Sequence, residues 1–305
     1  MNLILKKLLD NAEKRKDDVS SPLFMPNIQA EKQDRPLPGD LEERLDMPCG
    51  ETGKGLFADV VYPRNRKAEA LPVMAFVHGG ALVTGDRKTN RVFCQELARR
   101  GFVVYSVEYR LIDRADVFGM VSDVCDALAL VRATATRFGG DPGRVSLCGE
   151  SAGALLAIYA AAAGKSDALC RAFGCQAHGL DLSRLILISG MIYATGNAPI
   201  GLLYKKTLYP EMSRDRALMA RLAPDNPQII SLLPPIFLVS SRADFLRGNT
   251  LGYARALDHN RHEHKLLYYS GYKALTHAFP SLLPSLPESG EVIDAIGKWV
   301  NDRIY

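Results

Sequence analysis

The pentapeptide Gly149-Glu150-Ser151-Ala152-Gly153 follows an apolar run, Val145–Cys148, and opens a stretch of small residues, Ala152–Ala163. A G-x-S-x-G pattern in that place sets a serine on a tight strand-to-helix turn, where the flanking glycines let neighbouring chain pass close by. The bare pattern arises by chance about 0.1 times in a chain of this composition, so the strand before it and the helix after it supply the specificity. Ser151 is therefore the candidate nucleophile. A serine hydroxyl at neutral pH attacks poorly until a base removes its proton.

Six histidines are available: His78, His178, His259, His262, His264 and His277. His277 lies past the last strand-like run and before the final helix, where the chain order Ser, acid, His places the base. The acid belongs at the end of an intervening strand, orienting the imidazole and stabilising its charged form. Asp244, in Ser241-Arg242-Ala243-Asp244-Phe245, follows the apolar run Ile236–Ser240 at that position; Asp225 and Asp258 are worse placed. His259, His262 and His264 lack the carboxylate or cysteine pattern that would complete a metal site, and His178 sits in a polar loop with no assigned role. No metal or organic cofactor is expected.

Attack on a carbonyl makes its oxygen negative, and donors must already be aimed at it. His78-Gly79-Gly80-Ala81 follows the apolar run Val73–Val77. The N–H groups of Gly80 and Ala81, with that of Ala152 after the nucleophile, are the candidate oxyanion donors; Gly79 allows the turn, and His78 holds the loop.

The elements that must carry these residues follow from the hydrophobic pattern. Strand-like runs occur at Leu56–Tyr62, Val73–Val77, Phe102–Val107, Val145–Cys148, Leu185–Ser189, Ile236–Ser240 and Lys265–Tyr269. Several are almost wholly apolar, as strands covered on both faces must be. Helical stretches lie between and after them at Arg87–Arg100, Phe118–Arg137, Ala152–Ala163, Asn249–Asp258 and Glu291–Asp302. Alternating strand and helix predicts an α/β fold with a mostly parallel central sheet and helices on both faces. The last strand-like run, Lys265–Tyr269, is expected to be exposed, so a second copy could pair with it as a homodimer.

Two regions break the rhythm. Residues 1–50 are polar and contain Pro22, Pro26, Pro36, Pro38 and Pro48, which predicts short helical pieces joined by loops. Residues 190–235 separate two strands with several prolines and a helical middle at Asp215–Leu222. An insertion of that length usually carries function. The expected organisation is an N-terminal cap segment, 1–50, and a catalytic domain, 51–305, whose 190–235 insertion completes a small helical cap.

Composition excludes other classes. The 305 residues are 47% hydrophobic and 24% charged, so the chain is globular rather than disordered or fibrous. A net charge of +4 without a basic run gives no reason to expect nucleic acid as a partner. The longest small or apolar run, Ala152–Gly164, has 13 residues, too few to span a bilayer. Met1–Leu9 is interrupted by Lys6 and Lys7 and reads as an amphipathic helix rather than a secretory signal, so a cytoplasmic location without membrane insertion is expected. The cysteines, Cys49, Cys94, Cys125, Cys148, Cys170 and Cys175, are scattered and expected to stay reduced in the core; Cys170 and Cys175 are near enough to cross-link in an oxidising compartment.

These motifs together resemble the α/β-hydrolase fold, and within it the hormone-sensitive-lipase-like carboxylesterases, over about Leu56 to the C-terminus. Tyr109-Arg110-Leu111 is similar to that family's Tyr-Arg-Leu motif, and Asp123 matches the aspartate after it. Phe138-Gly139-Gly140-Asp141-Pro142 is also typical, with Asp141 a structural turn residue. Three departures stand out: Ala81 where a third glycine is usual, Ile112-Asp113 where Pro-Glu often follows, and Glu150 where aspartate is common. The resemblance implies a serine carboxylesterase acting on a small-molecule ester with a short, acetyl-type acyl group. It also implies a pocket lined from the 190–235 insertion and by Leu82. The same machinery serves an arylformamidase or other amidase. A non-catalytic binding module on this scaffold is disfavoured because nucleophile, base and acid are all present.

Overall fold

The computed structural model describes residues 31, 34–50, 55–65, 70–194, 208–209, 220–271 and 275–302. Among the described residues eight strands form one sheet: β1 (Leu41–Cys49), β2 (Leu56–Pro63), β3 (Leu71–Val77), β4 (Val103–Val107), β5 (Gly140–Glu150), β6 (Arg184–Ile188), β7 (Ile236–Ser241) and β8 (His264–Tyr269). Their spatial order is β1-β2-β4-β3-β5-β6-β7-β8. β1 and β2, and β2 and β4, pair antiparallel; every other neighbour is parallel.

The described helices are α1 (Arg91–Arg99), α2 (Val117–Thr134), α3 (Ala152–Ala163), α4 (Asp167–Ala172), α5 (Pro227–Ile230), α6 (Arg247–His259), α7 (Phe279–Leu282) and α8 (Pro287–Asn301). The period of two along each central strand sorts side chains into two cores. On β3, Val73, Ala75 and Val77 join α2, α3 and α6 on one face, while Met74 and Phe76 join α1 and α8 on the other. Helices therefore cover both faces, which is why β3 and β4 are apolar at nearly every position. Helix α3 is buried along its whole length, and its Ala and Gly residues let it lie close to the sheet and to α2.

One sequence expectation fails at the N-terminal side. Residues 41–49, expected among the helical pieces of a cap, form β1, so the sheet begins ahead of the boundary at residue 51. The reason is visible in Leu-Glu-Glu-Arg-Leu-Asp-Met-Pro-Cys: as an edge strand it buries only Leu41, Met47 and Cys49, and a register shift between Arg44 and Met47 breaks the alternation. Its charges are used across the sheet, where Glu43 binds Arg91, and Arg87 bridges Asp46, Asp59 and Glu108.

β8 lies at the opposite edge. The described part of the 190–235 insertion packs on α3: the Tyr159 hydroxyl donates to the Leu222 carbonyl at 2.5 Å and lies 3.1 Å from the Tyr209 hydroxyl. Of the expected helical middle, residues 215–219 lie outside the described residues, as does the amphipathic stretch Met1–Leu9. Among the described residues no helix is long and apolar enough to cross a membrane.

Candidate active site

Ser151 sits between β5 and α3 with φ 50° and ψ −115°, a left-handed conformation that a residue with a Cβ adopts at a cost. Two backbone bonds hold it there: Ser151 N–H donates to the Ile188 carbonyl, and Met191 N–H donates to the Ser151 carbonyl, both at 2.8 Å. The flanking glycines are required by space. A Cβ on Gly149 would lie 2.6 Å from the Gly153 carbonyl oxygen, and one on Gly153 would lie 2.3 Å from that of Val77. The turn therefore presses against the end of β3, next to the loop that begins at His78.

His277 arrives from the segment between β8 and α7. The Ala278 N–H donates to Ser189 Oγ at 2.9 Å, and the Ser241 hydroxyl donates to the Leu275 carbonyl, so the residues flanking His277 are tied to β6 and β7. His277 Nε2 is 2.8 Å from Ser151 Oγ, and its Nδ1 is 2.7 Å from Asp244 Oδ1. All three side chains are buried. A carboxylate can only accept, so Nδ1 carries the proton and Nε2 accepts from the serine hydroxyl. The residues singled out at positions 151, 244 and 277 are thus brought into one hydrogen-bonded chain, across 126 residues of sequence between serine and histidine.

Asp244 accepts two further bonds, from Leu246 N–H at its Oδ1 and from the Ser240 hydroxyl at its Oδ2, each 2.8 Å. Burial pushes its carboxyl up, but the hydrogen bond from His277, the imidazole charge and these two donors outweigh burial and hold it below the usual range.

The loop after β3 runs beside the serine: a Cβ on Gly79 would lie 3.0 Å from Ser151 Cβ. Gly80, Ala81 and Leu82 all have positive φ, at 96°, 55° and 63°. Gly80 has no room for a side chain, since a Cβ there would lie 2.0 Å from the Thr84 carbonyl oxygen. Ala81 adopts its left-handed conformation despite its methyl. Ala152 opens α3, where first-turn N–H groups have no carbonyl four residues back. His78 packs under this loop: it stacks on Tyr109 at 4.3 Å, and its Nδ1 lies 2.8 Å from the Gly79 carbonyl. Burial pulls the His78 imidazole down to about 4, so it is neutral at pH 7. The Tyr109 hydroxyl reaches the carbonyls of His78 and Gly79. Arg110 forms a two-pronged pair with Asp123, and Asp141 accepts from Gly143 N–H as a turn residue.

Sequence reasoning missed several supporting groups. Glu150 is buried and accepts from Asn90 Nδ2 at 2.8 Å, which ties the end of β5 to the α1 N-terminus beside the glycine loop. Burial raises its carboxyl against the nearby His277 and the bond from Asn90. No local signal marks Ser189, Ser240 or Phe245: a serine ending a strand is ordinary until its partner is placed. His262 and His264 bond the carbonyls of Pro234 and His262. His178 lies against the Ala160 carbonyl and accepts from Leu180 N–H.

Residues 58–244, more than half of the chain, match the family model described as BD-FAE. The chain belongs to the BD-FAE family. Its fold is that of the α/β-hydrolases: esterase B from Lactobacillus rhamnosis superposes with a TM-score of 0.84 at 22% identity, covering 98% of this chain and 96% of that one. Among curated relatives of this BD-FAE protein, the "Probable isoprenylcysteine alpha-carbonyl methylesterase ICME" of Oryza sativa subsp. japonica is 38% identical over 102 residues, 33% of this chain and 24% of that protein. A "Probable N-octanoylanthranilate hydrolase" of Rhodococcus erythropolis is 38% identical over 108 residues, 32% and 24% of the two chains. The aligned part spans about a quarter of the length of these relatives.

Proposed function

We propose that the protein is a serine carboxylesterase acting on short-chain, acetyl-type esters. Ser151 is the nucleophile, His277 the base, and Asp244 the group that fixes the imidazole tautomer. Ser151 Oγ attacks the ester carbonyl as its proton passes to His277 Nε2. The negative oxygen is received by the N–H groups of Gly80, Ala81 and Ala152. The imidazolium then gives its proton to the leaving alcohol, and water, deprotonated by the same nitrogen, releases the acid from the acyl-enzyme. The observation that supports this reading is the hydrogen-bonded chain from Ser151 through His277 to Asp244 within a buried site. The esterase names among the relatives and the superposed structure support it at the level of reaction class.

The test is covalent labelling by a fluorophosphonate, with p-nitrophenyl acetate hydrolysis measured beside it. Ser151→Ala is expected to abolish labelling and to lower kcat by roughly 10⁴–10⁶. Near-normal turnover in that variant would overturn the assignment. The Rhodococcus relative, named for an N-acyl compound, supports a second reading as an amide or formamide hydrolase with the same residues. N-formylkynurenine assayed beside the ester separates the two.

A further inference from the structure

Two large apolar side chains are well exposed among the described residues, Leu45 on the edge strand β1 and Phe245. Phe245 is 52% exposed, yet its ring lies 4.5 Å from the His277 imidazole, tilted by 38°. Its backbone is held by the turn that holds the acid: Leu246 N–H donates to Asp244 Oδ1, Asp244 N–H to the Ser241 carbonyl, and Arg247 N–H to the Asp244 carbonyl. The ring is thus placed over the imidazole by the same bonds that place the carboxylate. The imidazole is already fixed at both nitrogens by Asp244 and Ser151, so holding it does not require an aromatic neighbour. What the ring adds is half its surface, left open to water beside the imidazole that must protonate the leaving group.

We propose that Phe245 is a specificity-determining residue that packs against the alcohol half of the substrate, so that the enzyme prefers esters of bulky apolar alcohols, aryl-bearing ones above all. This rests on the esterase reading. The leaving oxygen has to come within hydrogen-bond reach of His277 Nε2, and the carbons attached to it then come near a ring packed against that same imidazole. Covering the exposed part of the ring removes apolar surface from water on both partners, and the contact persists into the transition state. It therefore acts on kcat/KM.

Benzyl acetate and methyl acetate test this, because their acyl groups are identical and their alcohols are of similar basicity but differ in apolar area. The wild-type enzyme is expected to favour benzyl acetate. In Phe245→Ala the benzyl-to-methyl ratio of kcat/KM is expected to fall about tenfold, the size of effect an apolar contact has on selectivity, with Phe245→Leu between the two. Thermal melts of each variant check that the fold is retained. A common factor lost on both esters, leaving the ratio unchanged, would show that the ring only packs the imidazole and would overturn the proposal. So would the absence of a benzyl preference in the wild type. Failure of the wild type to hydrolyse either ester or p-nitrophenyl acetate would instead overturn the esterase reading, and this proposal with it.

Discussion

Replacing Asp244 by asparagine separates two contributions that a carboxylate makes at once. In the native site Oδ1 accepts from both His277 Nδ1–H and Leu246 N–H, while Oδ2 accepts from the Ser240 hydroxyl. An asparagine has one carbonyl oxygen and one NH₂. Placed with its oxygen at the Oδ1 position, it keeps both donors there, and the NH₂ faces Ser240, whose hydroxyl can turn to accept. The reverse orientation sets the NH₂ against Leu246 N–H and against Nδ1–H, and it strands a buried donor at a cost of about 1–3 kcal/mol. The first orientation wins, and with it the tautomer that leaves Nε2 free to accept from Ser151. What Asp244→Asn loses is the negative charge opposite the imidazolium. At about 4 Å and an effective dielectric near 20, that is about 4 kcal/mol, or roughly 10³ in kcat/KM. Asp244→Ala loses the charge and also the acceptor that sets the tautomer, so it is expected to be about tenfold worse again. The assay is kcat/KM on p-nitrophenyl acetate for both variants, with thermal melts to confirm folding. Equal activity of the two would refute the argument that asparagine preserves the tautomer, and a loss of tenfold or less in Asp244→Asn would refute the charge argument.

Three further outcomes are expected. Ser151→Gly and Ser151→Ala both remove the hydroxyl, but only glycine relaxes the φ of 50°, so urea unfolding should find the glycine variant more stable by about 1 kcal/mol; equal midpoints would mean that the turn stores no strain. Asp244 titrates below its ordinary value of 3.8, so its contribution to stability is complete above that pH and is lost as pH falls through the lower, folded value. The fall in melting temperature between pH 5 and pH 2 should therefore be shallower in Asp244→Asn, and parallel curves would contradict the sign. Cys175, half-buried and pulled down to about 6 by the neighbouring Cys125 thiol, against the opposing effect of burial, and by the Cys170 thiol, should be the first thiol carboxamidomethylated by iodoacetamide at pH 7. Peptide mapping that finds another cysteine reacting as fast would count against it.

The cysteines also mark a limit of sequence reading. Spacing alone put Cys170 near Cys175, and their sulfurs lie 3.1 Å apart. Nothing local predicts that Cys125, on α2, acts electrostatically on Cys175, because their proximity depends on how α2 packs beside the turn after α4.

The chain's own pattern determined the alternation of apolar strands and helices, and the motif around Ser151, because both depend on local periodicity and on sterics within a few residues. A buried parallel strand must be apolar on both faces, and a left-handed serine must be flanked by residues without side chains, so each leaves a mark in the sequence. β1 left no such mark, since an edge strand with one bulge and half its side chains in water has little periodicity to read. Only the tertiary structure decided that Glu150 meets Asn90, that Ser189, Ser240 and Ser241 brace the acid and the imidazole, and that Phe245 packs against His277. Most of these contacts join the ends of the parallel strands to loops distant in sequence. They depend on which strands are neighbours and in what register, which a single strand's residues do not encode.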